Sequence, residues 1–335
     1  MTQLIIAPAG SAAEVEEGLR LAAGIFAVPA GGALDYKTML WRNDPSFEPA
    51  NLVLGRTPQG ELAGLIRIAP RMLRRQRQAI RTACISSVCV AAPLRGKGYS
   101  VQLMQRTLDI CEQRGFEIAL LLARRAADHY YTRFGFWGAS SYNRLTLSAS
   151  DGREPAGTPF ELRAMCEDEI TLYASAYERS YANCFGWFER DQAGWHFLLR
   201  RLRQQPGIEM LAIARQSRTV GYLIRSHDAL LEIGLGEALP EADLAAALPA
   251  LSGGNLPLQI DIPPQHRLFP ALHLYDVSLR SRECSYGGHM LRILGGQAPD
   301  YPQTCARLGI ATLTGIQEAD ARERLPFNLG YPDQV

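Results

Sequence analysis

In residues 11–26, SAAEVEEGLRLAAGIF, the apolar positions Val15, Leu19, Ala22 and Phe26 fall on one face, which predicts a helix. Ser11 and Glu14 form a capping box at its start. LIIAPAG before it (4–10) reads as a strand, and 28–50, rich in Gly, Pro and aromatics, as a loop. NLVLGRT (51–57) and ELAGLIRIAP (61–70) read as strands joined by hairpin chemistry at Pro58, Gln59 and Gly60. IRTACISSVCV (80–90) is the next strand. Val101, Met104, Leu108 and Cys111 then recur at helical spacing, and Gly115 ends that helix. FEIALLLA (116–123) is apolar almost throughout, as a strand covered on both faces would be. Residues 124–138 read as a short helix ending at Gly135, and YNRLTL (142–147) as a strand closing this half.

Residues 148–160 are rich in Gly, Pro and Ser, which places a domain boundary there. The second half repeats the order of elements without repeating the sequence. Two helices (167–184 and 190–205) precede a hairpin of MLAIARQ and TVGYLIRSHD. A strand (229–236), a helix (240–251) and a strand (257–264) follow. LYDVSLRSRE and GHMLRILG read as an antiparallel pair, and 296–335 shows no clear pattern. The expected organisation is 1–150, 160–295 and a tail of 296–335, in the α/β class.

Composition narrows the function. A net charge of +1 gives no global field pointing to nucleic acid or a membrane. No apolar run approaches the ~20 residues of a membrane span. The N-terminus lacks the basic and apolar regions of a signal peptide. The seven cysteines include no C-x-x-C pair, so neither zinc nor a disulfide framework is indicated. A cytoplasmic protein with no metal is the expectation.

The chemistry concentrates at VCVAAPLRGKGYS (88–100), where a strand hands over to a helix. A Gly-rich turn there offers several N–H groups to one anion, and the helix dipole adds partial positive charge. Gly96 and Gly98 let the backbone approach, and Arg95 and Lys97 add charge. A Walker A motif fails because Gly98 follows Lys97 where Ser or Thr belongs. A dinucleotide fingerprint fails because Val101 stands at the third glycine position and the next strand ends in alanine. Arg95-x-x-Gly98-x-Ser100 matches a third pattern, the coenzyme A pyrophosphate cradle, with Ser for Gly or Ala at its end.

With Tyr131-Thr-Arg-Phe-Gly135-Phe136, about thirty residues later, this loop makes the chain resemble the GCN5-related N-acetyltransferase (GNAT) superfamily over residues 3–147. The Val88-Cys-Val90, Pro93, Arg95 and Leu103-Met104 pattern resembles the enhanced-intracellular-survival (Eis-type) members. The resemblance implies a mixed central sheet of GNAT type and two tandem GNAT-like domains. The second would be degenerate, because Glu237-Ala-Leu-Pro240 offers no phosphate cradle. The relatives continue into a sterol-carrier-like domain for which the 40 residues from 296 are too few.

By the same resemblance, acetyl-CoA would be the acyl donor. Val88, Cys89 and Val90 would bind its pantetheine arm, and Gly96, Lys97, Gly98, Tyr99, Ser100 and Val101 its pyrophosphate. Tyr131 would be the general acid, with Tyr130 as its understudy. The chain's own terminal carboxylate, Val335, would be a candidate base, with His129 another. Asp35, Tyr36, Trp41 and Asp44 in the early loop are candidates for binding a cationic amine. The aromatics of 173–197 read chiefly as core and inter-domain packing. The five arginines of RMLRRQRQAIR (71–81) read as a solvated hairpin tip rather than a nucleic-acid surface. The expected partner is a small-molecule amine, with the second half shaping its pocket or a homo-oligomer. A non-catalytic acyl-CoA-binding regulatory module is the alternative.

Overall fold

In a computed structural model, described at residues 3–26, 33–123, 127–138, 141–147, 160–227, 229–237, 239–240, 243, 258–260, 262–263, 265–274, 277–283, 288–311, 324–325, 327 and 329, the chain builds two mixed sheets. The first half runs β1 (Ile5–Pro8), α1 (Ala12–Ile25), α2 (Ala33–Arg42), β2 (Leu52–Arg56), β3 (Leu62–Arg75), β4 (Gln78–Val90), α3 (Tyr99–Gln113), β5 (Ile118–Ala123), α4 (Asp128–Thr132), β6 (Trp137–Gly138) and β7 (Ser141–Leu147). The remainder runs β8 (Glu161–Ala164), α5 (Ile170–Tyr181), β9 (Phe185–Phe188), α6 (Gln192–Arg203), β10 (Glu209–Arg215), β11 (Arg218–Arg225), β12 (Ala229–Leu235), β13 (Leu258–Ile260), β14 (Val277–Glu283), β15 (Gly288–Ile293) and α7 (Tyr301–Leu308).

The first sheet has the order β1-β2-β3-β4-β5-β15-β6, with β9 also on β3, and the second β14-β7-β13-β12-β11-β10-β8. The apolar stripe of α3 (Leu103, Met104, Leu108, Cys111) packs with Ile66, Ile68 and Leu121 on one face of the first sheet. Leu108 is fully buried, so truncating it to Ala would cost about 2–5 kcal/mol. On the other face, α1 and α2 cover Leu52, Leu54 and Leu65. Ser11 caps α1 by accepting from the Glu14 N–H at 3.2 Å, as the capping box predicts.

Several expectations are corrected. Residues 33–42 form a helix instead of loop, because Trp41 and Leu40 have an apolar partner in α1. β7 does not close the first sheet; it lies in the second, between β13 and β14. β14 and β15 are not an antiparallel pair. β14 joins β7, whereas β15 inserts between β5 and β6. Alternation marks a strand and its buried face; it does not name the partner.

FGWF becomes β9, paired to Leu73, Arg74 and Arg75 of β3. The tail contains α7, with Cys305, Leu308, Ile310 and Phe327 packed against Leu73 and Leu120. The basic hairpin is docked rather than solvated. Gln76 N–H donates to the Cys184 carbonyl (2.9 Å), Arg74 pairs with Glu189 (2.9 Å), and Arg71 holds Asp44 (2.7 Å). Most of the helix expected over 240–251 lies outside the described residues.

Candidate active site

β4 and β5 run parallel only from Thr82 opposite Ile118 to Ile85 opposite Leu121. Beyond that point Ser86–Val90 continue without β5, so the two strands splay. A bulge sits at the divergence. Leu65 pairs with Cys89 and Arg67 with Ser86, so Ile66 alone opposes both Ser87 and Val88. Ser87 takes φ of 53°, left-handed backbone that non-glycine residues seldom adopt. Ala91 N–H returns to β3 through the Ala63 carbonyl. Strand alternation therefore turns the backbone groups of Val90 toward the open side. The Val90 carbonyl there accepts from Arg95 Nε at 3.2 Å.

The loop after β4 enters α3 through Gly96 (φ 78°) and Gly98 (φ 76°), both left-handed. Gly98 is the N-cap, and no side chain caps the helix. The start of α3 thus presents N–H groups and positive dipole to the mouth of the splay. A Cβ built on Gly96 meets nothing within 4 Å, so the loop faces open space. Arg95 and Lys97 are exposed, and Tyr99 is buried. This uncapped turn beside a splayed strand pair fits an anionic group carrying an extended arm.

Val88, Val90, Tyr130 and Tyr131 are each partly buried against the α3 core, and the rings of Tyr130 and Tyr131 meet edge to face at 5.1 Å. Burial, and next the adjacent Tyr130, push the Tyr131 phenol up to about 12. Burial also raises Tyr130. The Cys89 side chain points to the opposite face, where burial raises its thiol to about 11. Its backbone faces β3, where Cys89 pairs with Leu65.

The early-loop candidates divide. Asp35 is exposed on α2 and Tyr36 half-buried. Trp41 is 1% exposed in the α1 core, so it is a packing residue and not a wall of an open cleft. Asp44 is buried between Arg67 and Arg71; burial opposes its charge, but the two guanidinium groups hold its pKa at about 2. Its charge is therefore committed within the protein. His129 is exposed on α4. Val335 lies outside the described residues. Ser86 at the divergence has a buried hydroxyl with no hydrogen-bond partner among the described residues.

The turn carrying Tyr131 is held from a distance that sequence reasoning missed. Arg292 of β15 donates to the Phe134 carbonyl (2.8 Å) and reaches Glu112 of α3 (3.4 Å). Gly135 (φ 74°) lies so close to Ala298 that an added Cβ would come within 2.4 Å of it. Trp137 Nε1 donates to the Pro299 carbonyl. A basic residue within an apolar strand was the available signal.

The second sheet has a matching divergence that is filled. β12 and β13 pair only at Ala229–Leu230 with Gln259–Ile260. Beyond it, His266 Nε2 meets the Ile233 carbonyl (3.0 Å) and Ser180 Oγ accepts from the Leu235 N–H (2.8 Å). The Tyr181 hydroxyl also meets the backbone of Ile233. Burial lowers the His266 pKa to about 4, so the ring is neutral. Its Nδ1 accepts from Leu268 N–H, which leaves the proton on Nε2.

Residues 9–139 match the family model for the acetyltransferase (GNAT) domain. No curated protein sequence matches the chain. Among solved structures, the fold is similar to a GCN5-related N-acetyltransferase from Anabaena variabilis (TM-score 0.63, 16% identity, covering 88% of this chain and 73% of that one). It is similar to another from Kribbella flavida (0.62, 16%, 87% and 71%). It is also similar to Eis1 from Mycobacterium abscessus (0.59, 19%, 87% and 73%). Residues 9–139 thus match the GNAT acetyltransferase domain, within a two-sheet chain whose fold is similar to that of solved GCN5-related N-acetyltransferases.

Proposed function

We propose that the protein is an N-acetyltransferase that moves an acetyl group from acetyl-CoA to a primary amine of a small molecule. The observation that carries this reading is the meeting of an open β4–β5 splay with the uncapped, left-handed start of α3. The N–H groups from Gly96 to Val101 would hold the donor's pyrophosphate, and the backbone of Val88 and Val90 its pantetheine arm. The donor supplies a thioester. Held beside the acceptor, its carbonyl carbon is attacked by the neutral amine nitrogen. The C–N bond forms first, giving a tetrahedral intermediate; the nitrogen loses its extra proton to solvent, and the carbonyl re-forms as the C–S bond breaks and coenzyme A departs as the thiolate.

Tyr131 donates a hydrogen bond to the departing sulfur. A phenol near 12 keeps its proton at neutral pH. Complete transfer to a thiolate of ordinary pKa near ~8.5 would be uphill by roughly 3.5 units, about 5 kcal/mol. Tyr131 therefore acts mainly by stabilising sulfide charge. The filled divergence of the second sheet supports one donor site per chain. Asp35 and Tyr36 remain candidates for the acceptor side, and the base is unassigned within the described residues.

The test is a thermal-shift titration with acetyl-CoA against NAD, followed by thiol release across an amine panel. A ligand at a hundredfold its Kd adds about 2.7 kcal/mol of stability. Stabilisation by acetyl-CoA that Arg95→Glu abolishes supports the cradle. Failure of acetyl-CoA to bind would sink it, and binding without turnover of any amine would leave only the regulatory alternative.

A further inference from the structure

A cavity of about 380 Å³ lies where the two halves of the chain meet, and its volume is in the range of small-molecule pockets. It opens at a break in the first sheet's ladder. On one edge, β3 pairs with β2 through Arg67 and with β9 from Leu73 onward. Between them, β3 has no strand neighbour on that side among the described residues. Pro70 lies in this interval, where its missing N–H removes no ladder bond. Two carbonyls of the interval are engaged: Arg71 donates to that of Pro70 (2.8 Å), and Glu189 N–H to that of Met72 (2.9 Å). The interval thus offers an added peptide strand no continuous ladder, and side chains make the site.

The wall is apolar and aromatic. Met72 and Phe116 come from the first half, and Phe188, Phe197 and Leu198 from the second. The charged residues around it are committed to partners within the protein. Arg71 is held by Asp44 (2.7 Å), and Arg190 turns both guanidinium nitrogens to Glu232 (2.8 and 2.7 Å). Glu189 pairs with Arg74 (2.9 Å), and Asp191 caps α6 by accepting from the Gly194 N–H (2.7 Å). Arg201 lies over Phe197 (5.7 Å) and has a further partner. Arg81 is exposed, lies over Phe116 (5.2 Å) and reaches the Gly115 carbonyl (3.5 Å). A charged guest would lose its hydration here without gaining an unengaged counter-charge. An uncharged aromatic one gains apolar burial and ring contacts.

We infer that this cavity binds an uncharged aromatic small molecule. It is distinct from the proposed donor cleft. Its lining residue Pro70 stands opposite Ala83, and Val88 lies five residues further along β4, roughly 16 Å at ~3.3 Å per residue. The inference goes beyond acyl transfer and does not rest on it.

Calorimetric titration of the full chain with 2-naphthalenemethanol tests it, beside 2-naphthoate and 2-naphthylmethylammonium as its anionic and cationic counterparts. The alcohol is expected to bind in the submillimolar range, with and without saturating acetyl-CoA. Both ions should bind at least about tenfold more weakly. The alcohol should lose at least about as much affinity in Met72→Trp, which fills the cavity, and in Phe197→Ala, which removes a ring. Met72 is half-buried, so its variant keeps the test valid if Phe197→Ala fails to fold. Absence of binding by the alcohol at millimolar concentration overturns the inference. So does an ion that binds as tightly as the alcohol, affinity unchanged in Met72→Trp, or loss of binding when acetyl-CoA saturates the chain.

Discussion

Arg292 donates to the carbonyl of Phe134 at 2.8 Å, across 158 residues of sequence. Phe134 is three residues after Tyr131, so a strand from late in the chain fixes the turn that carries the proposed donor phenol. Arg292→Met should lower kcat by about tenfold, a misplacement effect. The Kd for acetyl-CoA should stay near its wild-type value, and Arg292→Lys should recover part of the rate. Equal losses in both variants, matched by a fall in Tm, would reduce Arg292 to a stabilising residue.

Tyr131→Phe should lower kcat by roughly 10²–10⁴ with acetyl-CoA affinity preserved. Because the phenol is raised to about 12, it stays protonated through the working range. The rate should therefore rise with pH as the acceptor amine deprotonates and show no alkaline fall from Tyr131 below about pH 10. Steady-state pH profiles of wild type and variant check both statements. A descending limb near pH 9 that Tyr131→Phe removes would contradict the raised phenol.

Asp44 should contribute to acid stability. Its folded pKa is about 2 against an ordinary 3.8, a depressed value, so its contribution is complete above pH 3.8. It is lost as pH falls toward 2. The difference corresponds to about 2 kcal/mol. Asp44→Asn leaves Arg67 buried without its carboxylate, and should cost about 3–5 kcal/mol at neutral pH. Urea unfolding at pH 7 and pH 3 measures both. The stability gap between wild type and Asp44→Asn should narrow at the lower pH.

Gly96→Ala places a side chain at φ 78° with no steric neighbour within 4 Å. The expected loss in stability is about 1 kcal/mol, from backbone strain alone. A Cβ in the open space of the cradle should weaken acetyl-CoA binding in addition. Thermal melts with and without acetyl-CoA separate the two effects.

The donor side was legible in sequence because its requirements are local. Two glycines with positive φ, a strand before them and a helix after them fit within residues 88–113. The bulge at Ser87 was not, since nothing in ISSVCV marks which residue opposes Ile66. α2 was hidden by its Gly- and Pro-rich neighbourhood, although burial of Trp41 against α1 outweighs that local signal. The destinations of β7 and β15 depend on contacts more than a hundred residues away, which alternation does not encode. Asp44 looked like a free anion because its partners, Arg67 and Arg71, meet it only after β3 is in place. In the second half, loss of the glycine cradle was readable. The plug of His266, Ser180 and Tyr181 required the fold.

The exchange of β7 and β15 between the sheets has a consequence for dividing the chain. The Gly- and Pro-rich stretch at 148–160 resembles a place to cut, yet a fragment ending at 150 would lack β15. Its β5 would become a raw edge, its Tyr131 turn would lose Arg292 and Ala298, and β7 would be stranded without β13 and β14. The complementary fragment would carry β14 with its partner missing and β15 with nowhere to insert. Two-sheet architecture here does not mean two excisable modules: each half is finished by a strand borrowed from the other, so a cut between them leaves both sheets incomplete.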